Sequence, residues 1–452
     1  MAAAGTALGA GAAGAPARPA GSACARTRSD AGLQPGCRRQ PGGSRLPART
    51  GPGRSAGRPL EQAGEGAVTL RVLADENIPG LESLLPPGAS LRRKPGRQIR
   101  RADLRECDAL LVRSVTPVNA ELLAGTPVRF VGTATSGFDH IDREWLSAQG
   151  VAFAFAPGCN ANSVVEYVLC AIAEVDDFLE RLLAGGRVGI VGYGVIGRAL
   201  AARLAQLGIA SVACDPWLAP GSIPHPATLA EILACDVISL HTSLVDTAPW
   251  PSRHLLAAPE LAALNSGQLL INAARGPVAD NAALLQCLQA PDAPAVVLDV
   301  WEKEPRVEPA LLQRVRLGSA HIAGYSLDGK LAATRVLCQA LAKVFELEYS
   351  PSTKSGAQAA LALDSAASVP DTLRSLLAAR YRVADDDRLL REAVLGCDTD
   401  TAAGNFDRLR KQYRERRELA GSQVQLPAGT TTALERWVTA LGCTVAVAKD
   451  GA

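Results

Sequence analysis

The sequence predicts an α/β protein with two doubly wound parallel sheets, followed by a smaller α+β domain at the C-terminal end. Three observations predict it. Apolar runs with strand character alternate with helical patterns from Leu70 to about residue 350, as in chains of β-α-β units. A glycine-rich turn joins one of those runs to a helix near the middle of the chain. After about residue 350 the pattern changes to charged helices and one short apolar run.

The first segment of the chain differs from the rest in composition. Residues 1–68 consist mainly of Ala, Gly, Pro, Arg and Ser, and they carry nine Arg against three acidic residues. Such a segment buries too little apolar surface to offset the entropy cost of ordering, so we expect a disordered extension. A transit peptide would also be rich in Arg and poor in acids, but the many Gly and Pro argue against its amphipathic helix.

The composition excludes several classes of protein. The chain of 452 residues has 48% hydrophobic residues and a formal net charge of +2, which gives no case for binding nucleic acid or a membrane surface. No uncharged apolar run reaches the roughly 18 residues that indicate a membrane span. The 11 cysteines form no C-x-x-C pair and have no His at zinc spacing. We therefore expect a cytoplasmic protein without a structural metal or a disulfide framework.

Strand and helix patterns alternate in order along the first 350 residues. The apolar segments predict strands, namely LRVLADEN (70–77), DALLVRS (108–114), RFVGTAT (129–135), VAFAFAPG (151–158), RVGIVGYG (187–194), ASVACDPW (210–217), DVISLHTS (236–243), GQLLINAAR (267–275), AVVLDVWE (295–302) and RLGSAHIAG (316–324). Residues 163–183 have the 3.6-residue period of one long helix, and VIGRALAARLAQLG (195–208) predicts another. This alternation indicates parallel sheets.

A polar linker, SPSTKSGAQ (350–358), precedes the C-terminal part. Two charged helices are predicted there, over residues 371–394 and 405–422. The segment 429–448 predicts a helix followed by a strand. These patterns indicate a small α+β domain.

The glycine-rich turn has the spacing of a dinucleotide site. Gly192, Gly194 and Gly197 form G-x-G-x-x-G between the strand VGIV and a helix. Such a turn allows the backbone to approach a pyrophosphate closely at the helix N-terminus. Asp215 ends the next strand, about 20 residues on, where an acid binds ribose hydroxyls. Pro216 and Trp217 follow it instead of an Arg for a 2′-phosphate, which favours NAD over NADP.

Three further motifs carry the residue types that hydride transfer from a hydroxy acid requires. A bidentate Arg suits the carboxylate, and INAARGPVADNAAL contains Arg275. A base with a pKa near working pH favours His, and GSAHIAGYSLDGK contains His321. A carboxylate beside that His fixes its tautomer, and VVLDVWEKEP contains Asp299 and Glu304. Each motif lies at or just after a predicted strand end, where ligand sites form in open α/β sheets.

Together these motifs resemble the D-isomer-specific 2-hydroxyacid dehydrogenases. The resemblance implies Rossmann/flavodoxin-like domains and NAD as the cofactor. It also implies that Arg275 binds and polarises the substrate, that Glu304 supports His321, and that His321 is the acid/base. By the same resemblance, Asp299 lies near the nicotinamide and Thr242, in SLHTSL, contacts the cofactor.

The resemblance narrows to one branch of that family, whose members oxidise a phosphorylated 2-hydroxy acid. It rests on LADENIPG, LLVRSVTPVNAELL, FVGTATSGFDHID, APGCNANSVVEYV and SAHIAGYSLDGK, and on FDRLRKQYRERRE, which fits a dimerisation domain that other members lack. It implies that Ser114, Thr135 and Tyr325 contact the substrate and that Gly324 contacts the cofactor. The implied domains are a substrate-binding domain at 69–165, an NAD-binding domain at 166–320, a return segment at 321–350 and a C-terminal homodimerisation domain at 351–452.

The substrate's phosphate requires a basic pocket, for which Arg is well suited because its planar fork matches phosphate oxygens. Arg113, beside Ser114, is one candidate. We expect Arg416 to be another, reaching from the C-terminal domain into the partner subunit's active site. Two alternatives stay open: another D-2-hydroxyacid dehydrogenase, such as one for 3-phosphoglycerate, and a non-catalytic NAD-sensing scaffold.

Overall fold

The computed structural model describes residues 70–350, 360–363, 368–426 and 432–447. The predicted extension over residues 1–68 lies outside the described residues, as does all but the first residue of the predicted linker. Among the described residues, no helix combines the length and the apolar character needed to cross a membrane.

The first sheet has five parallel strands in the order β2-β1-β3-β4-β5. Its strands are β1 (Arg71–Asp75), β2 (Ser90–Lys94), β3 (Ala109–Val112), β4 (Phe130–Thr133) and β5 (Ala152–Phe155). β3 and β4 are buried along their whole length, as expected for apolar runs in the centre of a parallel sheet. The strand β2 was not predicted, because its sequence SLRRK has the polar character of an exposed edge. The order 2-1-3-4-5 is the flavodoxin-like one.

The second sheet has six parallel strands in the order β11-β10-β9-β8-β6-β7. Its strands are β6 (Arg187–Val191), β7 (Ala210–Cys214), β8 (Val237–Leu240), β9 (Leu269–Asn272), β10 (Ala295–Leu298) and β11 (Leu317–Gly318). A parallel bridge between Ala213 and Pro226 extends the sheet beyond β7. The direction of strand addition reverses between β6 and β8, which is where a doubly wound sheet opens a ligand crevice. The predicted fold class is confirmed.

Helices cover both sheets and connect their strands. They are α1 (Leu81–Leu84), α2 (Ala120–Leu123), α3 (Arg143–Ala148), α4 (Ala161–Glu174), α5 (Phe178–Leu183), α6 (Val195–Gln206), α7 (Leu229–Leu233), α8 (Ala258–Ala262), α9 (Asn281–Cys287), α10 (Pro309–Arg314) and α11 (Leu327–Val344), with 3-10 turns at Gly96–Gln98, Arg101–Leu104 and Gly276–Val278. The helix α11 follows the second sheet in sequence but packs against the first, because Leu337 and Leu341 join the core beneath Phe130.

The C-terminal part combines four helices with a small parallel sheet. Its elements are β12 (Leu361–Ala362), α12 (Val369–Ala378), α13 (Val383–Val394), α14 (Thr399–Lys411), β13 (Gln423–Leu426), α15 (Thr432–Ala440) and β14 (Thr444–Val447). The three strands pair in the order β12-β13-β14. Leu373, Leu377 and Val383 share one apolar core with Tyr167 and Val168 of α4. The C-terminal part is therefore packed onto the second sheet's helical layer.

Three predicted helices were longer than those observed. The helix predicted over residues 163–183 is interrupted between α4 and α5, where Asp176 takes a φ of 46°. The helix predicted over 371–394 is interrupted at residues 379–382, and Glu174 of α4 accepts hydrogen bonds from the backbone N–H groups of Val383 and Ala384 at the start of α13. The helix predicted over 405–422 ends at Lys411, and residues 413–418 continue without helical structure. In all three cases the sequence keeps a helical periodicity across the residues where the helix is interrupted or ends.

Candidate active site

Three neighbouring strands of the second sheet end at one edge, and each is followed by a predicted catalytic residue. Arg275 follows β9, Glu304 follows β10 and His321 follows β11. Leu298, the last residue of β10, is in register with the last residues of β9 and β11. Because these strands are parallel, their carboxyl ends meet, and the loops beyond them converge on one site.

His321 and Glu304 form a hydrogen-bonded pair. The imidazole Nδ1 of His321 lies 2.7 Å from Oε2 of Glu304, while Oε1 of Glu304 accepts a hydrogen bond from the backbone N–H of Trp301 at 2.7 Å. A carboxylate can only accept, so Nδ1 carries the proton and the other ring nitrogen is left free as a base. The His321 side chain is about one-third exposed, at 34%. The pair therefore has the geometry of an acid/base with a carboxylate support.

Asp299 holds the loop that carries His321. Its buried carboxylate accepts hydrogen bonds from the Ser319 hydroxyl at 2.6 Å and from the backbone N–H groups of Ile322 and Ala323 at 2.7 and 2.9 Å. The backbone N–H of His321 also donates to the Asp299 carbonyl at 2.7 Å. The contacts observed for Asp299 are thus with its own chain, and its contact with the nicotinamide stays a prediction.

Arg275 lies where a loop of the second sheet approaches a loop of the first. Its guanidinium is exposed and donates from Nη1 to the Ala274 carbonyl at 2.8 Å. A Cβ on Gly137, in the loop after β4, would lie 3.4 Å from Nη2 of Arg275. The loop after β4 of the first sheet and the loop after β9 of the second therefore lie close together, with the Arg275 guanidinium beside Gly137.

The predicted substrate contacts Ser114 and Thr135 follow β3 and β4, two neighbouring strands of the first sheet. Thr135 follows β4, and its hydroxyl donates to the Gly137 carbonyl at 2.6 Å while sharing a hydrogen bond with Thr133 at 2.7 Å. The imidazole of His140 lies 2.9 Å from the Thr133 hydroxyl, and burial lowers the pKa of His140 below its usual value. Ser114 and Arg113 follow β3, Ser114 being exposed and Arg113 half-buried.

The glycine turn has the space and the close contacts of a dinucleotide site. A Cβ on Gly197 would lie 2.1 Å from the Gly192 carbonyl oxygen, so the turn admits only glycine there. Gly192, with a φ of 92°, lies so close to the backbone of His241 and Thr242 that a Cβ would meet it at 2.7 Å. A Cβ on Gly194, the residue just before α6, would meet no atom within 4 Å. Space is therefore open where a pyrophosphate would lie.

Asp215 and Thr242 flank that turn. One carboxylate oxygen of Asp215 accepts a hydrogen bond from the Tyr193 N–H at 2.9 Å and the other from the Trp217 N–H at 3.1 Å. The hydroxyl of Thr242 is buried and has no hydrogen-bond partner among the described residues. Because buried polar groups are normally paired, this hydroxyl fits a contact with a bound cofactor.

Gly324 and Tyr325 complete the loop after His321. A Cβ on Gly324 would lie 2.4 Å from the Asn160 amide nitrogen, which explains why glycine is required there. The side-chain amide oxygen of Asn160, Oδ1, accepts a hydrogen bond from the Ser136 hydroxyl at 2.6 Å. Half-buried Tyr325 packs edge-on against Tyr413, with ring centroids 5.8 Å apart. The loop therefore contacts both the first sheet's loops and the C-terminal part.

Comparison with known proteins assigns the family. The erythronate-4-phosphate dehydrogenase of Cellvibrio japonicus is 45% identical over 387 residues, which cover 82% of this chain and 99% of that protein. The enzyme of the same name from Marinobacter nauticus is 43% identical, over 82% of this chain and 99% of its own. The chain belongs to the erythronate-4-phosphate dehydrogenase family.

Two family models match parts of the chain, and one solved structure shares its fold. Residues 170–323 match the NAD binding domain of the D-isomer specific 2-hydroxyacid dehydrogenases. Residues 355–442 match a domain of unknown function. The crystal structure of a 2-hydroxyacid dehydrogenase from Ketogulonicigenium vulgare superposes with a TM-score of 0.51 at 17% identity, over 63% of this chain and 98% of that one. At that identity the structure shows a shared fold.

One predicted site residue of this family member lies elsewhere than expected. Arg416 is 2% exposed, and its guanidinium donates to the carbonyl oxygens of Ala323 and Ser163 at 3.2 and 2.8 Å. It lies over the ring of Tyr381, 3.7 Å from the centroid. The structure contradicts the prediction that Arg416 extends into a partner subunit, because the guanidinium is enclosed within its own chain. The prediction had extended one charged helix over residues 405–422, but α14 ends at Lys411 and Arg416 lies beyond it.

Sequence reasoning missed several residues that shape this site. Asn160 and Lys330 both lie inside motifs that carry the family resemblance, but single Asn and Lys residues carry little signal. Glu166 and Glu418 are buried behind the site. The signal that could have found them is the placement of an acid in an otherwise apolar helical stretch, as with Glu166 in SVVEYV.

Proposed function

We propose that the chain oxidises 4-phospho-D-erythronate to (R)-3-hydroxy-2-oxo-4-phosphooxybutanoate with NAD, as a step of pyridoxal 5′-phosphate biosynthesis. The observation that carries the proposal is the His321–Glu304 pair at 2.7 Å, at the same sheet edge as the exposed Arg275, which follows the neighbouring strand β9. An acid/base, its support and a carboxylate-binding cation are what the reaction requires from the protein. The names of the relatives supply the substrate.

Each of the three residues has a separate role in the reaction. Arg275 binds the substrate carboxylate and orients C2. The free imidazole nitrogen of His321 takes the proton of the C2 hydroxyl, and the Glu304 carboxylate stabilises the imidazolium that forms. Bound NAD supplies the acceptor for the hydride that leaves C2. Loss of that proton and that hydride leaves the C2=O double bond of the 2-oxo acid.

The cofactor site fits NAD. Gly192, Gly194 and Gly197 would hold the pyrophosphate at the start of α6, where helix N–H groups point outward. Thr242 would donate its otherwise unpaired hydroxyl. Asp215 would accept hydrogen bonds from the adenosine ribose, and its negative charge would repel a 2′-phosphate.

Replacing Asp215 with Ser is expected to narrow the preference for NAD over NADP. The change removes the charge that opposes the 2′-phosphate while keeping a hydroxyl beside the Tyr193 and Trp217 N–H groups that Asp215 now accepts from. The measurement is kcat/KM for each cofactor in wild type and variant. An unchanged ratio, or a wild type that uses NADP as well as NAD, would contradict the role of Asp215.

A substrate panel tests the proposed function. NADH formation is measured with 4-phospho-D-erythronate, 3-phosphoglycerate, D-lactate and unphosphorylated D-erythronate. We expect the highest kcat/KM for 4-phospho-D-erythronate. Preference for 3-phosphoglycerate would favour the other dehydrogenase, and NAD binding without turnover would favour the scaffold.

Two further parts of the proposal concern assembly and location. We infer that the chain forms a homodimer through its C-terminal part, as the family resemblance implies, which light scattering of the full chain over a range of concentrations would test. We also infer a cytoplasmic location, where the free cysteines among the described residues would stay reduced.

A further inference from the structure

Two basic side chains from separate parts of the chain lie at Tyr325, and a third cation acts on one of them. The ammonium of Lys330, in the first turns of α11, lies 5.1 Å from the centre of the Tyr325 ring. The guanidinium of Arg410, in the last turn of α14, lies 6.0 Å from the same centre, and its Nη2 is 3.4 Å from the Tyr325 hydroxyl. Arg113, beside Ser114, is close enough for its charge to act on Lys330.

This cluster of Arg113, Lys330 and Arg410 lacks acidic partners. Among the described residues, no carboxylate lies within ion-pair distance of any of the three. The acid nearest in sequence to Lys330, Asp328, is engaged by Arg417 at 2.8 Å and by the backbone N–H of Glu418 at 2.8 Å. The exposed Glu415 acts on the charge of Lys330 from a distance.

The cluster is also partly removed from water. Lys330 is half-buried, and burial together with the charge of Arg113 lowers its pKa below the usual lysine value. The Nε of Arg410 is buried and has no hydrogen-bond partner among the described residues. Half-buried cations without counter-charges are unfavourable in an isolated chain, because each loses hydration without gaining an ion pair. An anion between them would satisfy both the charges and the free donors.

We propose that Lys330 and Arg410, assisted by Arg113, bind the terminal phosphate of the substrate within a single chain. The inference rests on the proposed function for the identity of the substrate. Tyr325 lies four residues after His321 in the same loop, so the cluster begins at the edge of the reaction centre. A phosphate dianion is the ligand that several converging N–H donors of this kind favour. The cluster takes the place that Arg416 had in the sequence-based prediction.

Charge-removing variants with matched controls test the subsite. Lys330→Gln and Arg410→Gln are each expected to raise the KM for 4-phospho-D-erythronate by about 10- to 100-fold, the range for one lost charge-assisted hydrogen bond. Neither is expected to change kcat/KM for unphosphorylated D-erythronate. Lys330→Arg should retain most of the wild-type KM. The controls Lys343→Gln on α11 and Lys411→Gln on α14 remove an exposed charge from the same helices and should match wild type.

Inorganic phosphate gives a readout that does not depend on turnover. With NAD bound, phosphate should raise the melting temperature of wild type and of both controls, and should raise that of Lys330→Gln much less. A wild-type phosphate response in Lys330→Gln and Arg410→Gln, together with an unchanged KM, would overturn the subsite. If wild type prefers an unphosphorylated acid, the proposed function fails, while the phosphate response still decides whether the cluster binds the anion.

Discussion

Replacing His321 with Asn is expected to lower kcat by about 10²–10⁴-fold, the range that general acid–base catalysis typically contributes. Asparagine has no group that can take the hydroxyl proton at neutral pH. It also suits the backbone, because His321 has a φ of 56° and Asn is enriched in this left-handed region. The backbone N–H that binds the Asp299 carbonyl is unchanged, so the loop should keep its position.

The kinetic measurement is combined with a cofactor-binding measurement and a control variant. NADH affinity, measured by fluorescence titration, should stay within a few-fold of wild type, which separates lost chemistry from a lost cofactor site. His225→Asn is the matched control, since His225 is exposed in the segment between β7 and α7. Near-normal turnover of His321→Asn would remove His321 from its role as the acid/base and would favour the scaffold alternative if wild type were also slow.

Much of the fold was predictable because a buried parallel strand can be recognised from the apolar residues of its own segment. The ten predicted strands correspond to β1, β3 to β5 and β6 to β11, since each is an apolar run ending in polar residues at a sheet edge. The glycine turn was predictable because its G-x-G-x-x-G spacing lies within one strand-turn-helix segment, although Gly192 is also required by its contact with the backbone of His241 and Thr242 after β8. Local sequence therefore specified both sheets and the edge at which the site lies.

The parts that were not predictable depend on contacts between distant segments. The helix predicted over 163–183 is broken at Asp176, whose positive φ of 46° helical periodicity does not encode. Residues 413–418 have helical composition, but the carbonyl of Arg416 accepts the Leu327 N–H at 2.8 Å, which holds the segment extended beside the active-site loop. The proposed phosphate-binding cluster likewise joins residues 113, 330 and 410, which no local pattern brings together.

Replacing Arg416 with Met is expected to destabilise the folded chain strongly. The guanidinium is buried, and its two observed hydrogen bonds hold the backbone of Ala323, in the His321 loop, and of Ser163, in α4. Methionine fills a similar volume but donates nothing, so both buried carbonyls lose a partner. Removing one charge from a buried charged network costs about 3–5 kcal/mol, because the opposite charges stay behind uncompensated.

The buried carboxyl groups that interact with the Arg416 charge are Glu166 and Asp386, and Glu418 lies beside Glu166. Glu166 is buried and accepts hydrogen bonds from the Leu419 and Ala420 N–H groups at 2.9 Å. Glu418 accepts from the hydroxyls of Ser163 and Ser326 at 2.6 and 2.7 Å. Burial raises the pKa of Glu166 from 4.5 to about 7, Glu418 raises it too, and Arg416 opposes both effects. Arg203 also interacts electrostatically with Glu166.

The pH dependence follows from the sign of that shift. A carboxyl whose pKa is higher in the folded chain stabilises it at low pH, and this stabilisation is lost as pH rises from about 4.5 through 7. Without Arg416 the pKa of Glu166 should rise further, so Arg416→Met should be more damaging at pH 8 than at pH 5.5. We expect its melting temperature to fall by roughly 5–15 °C at pH 8 and by clearly less at pH 5.5.

Thermal unfolding at both pH values, with and without saturating NAD, measures this effect. Lys411→Met, at the end of α14, removes an exposed charge from the same part of the chain and should unfold like wild type. Because Arg416 holds Ala323, kcat should also fall in Arg416→Met below its melting temperature, while Lys411→Met keeps wild-type activity. An Arg416→Met protein as stable as wild type at pH 8, or one equally destabilised at both pH values, would show that the buried guanidinium does not compensate Glu166.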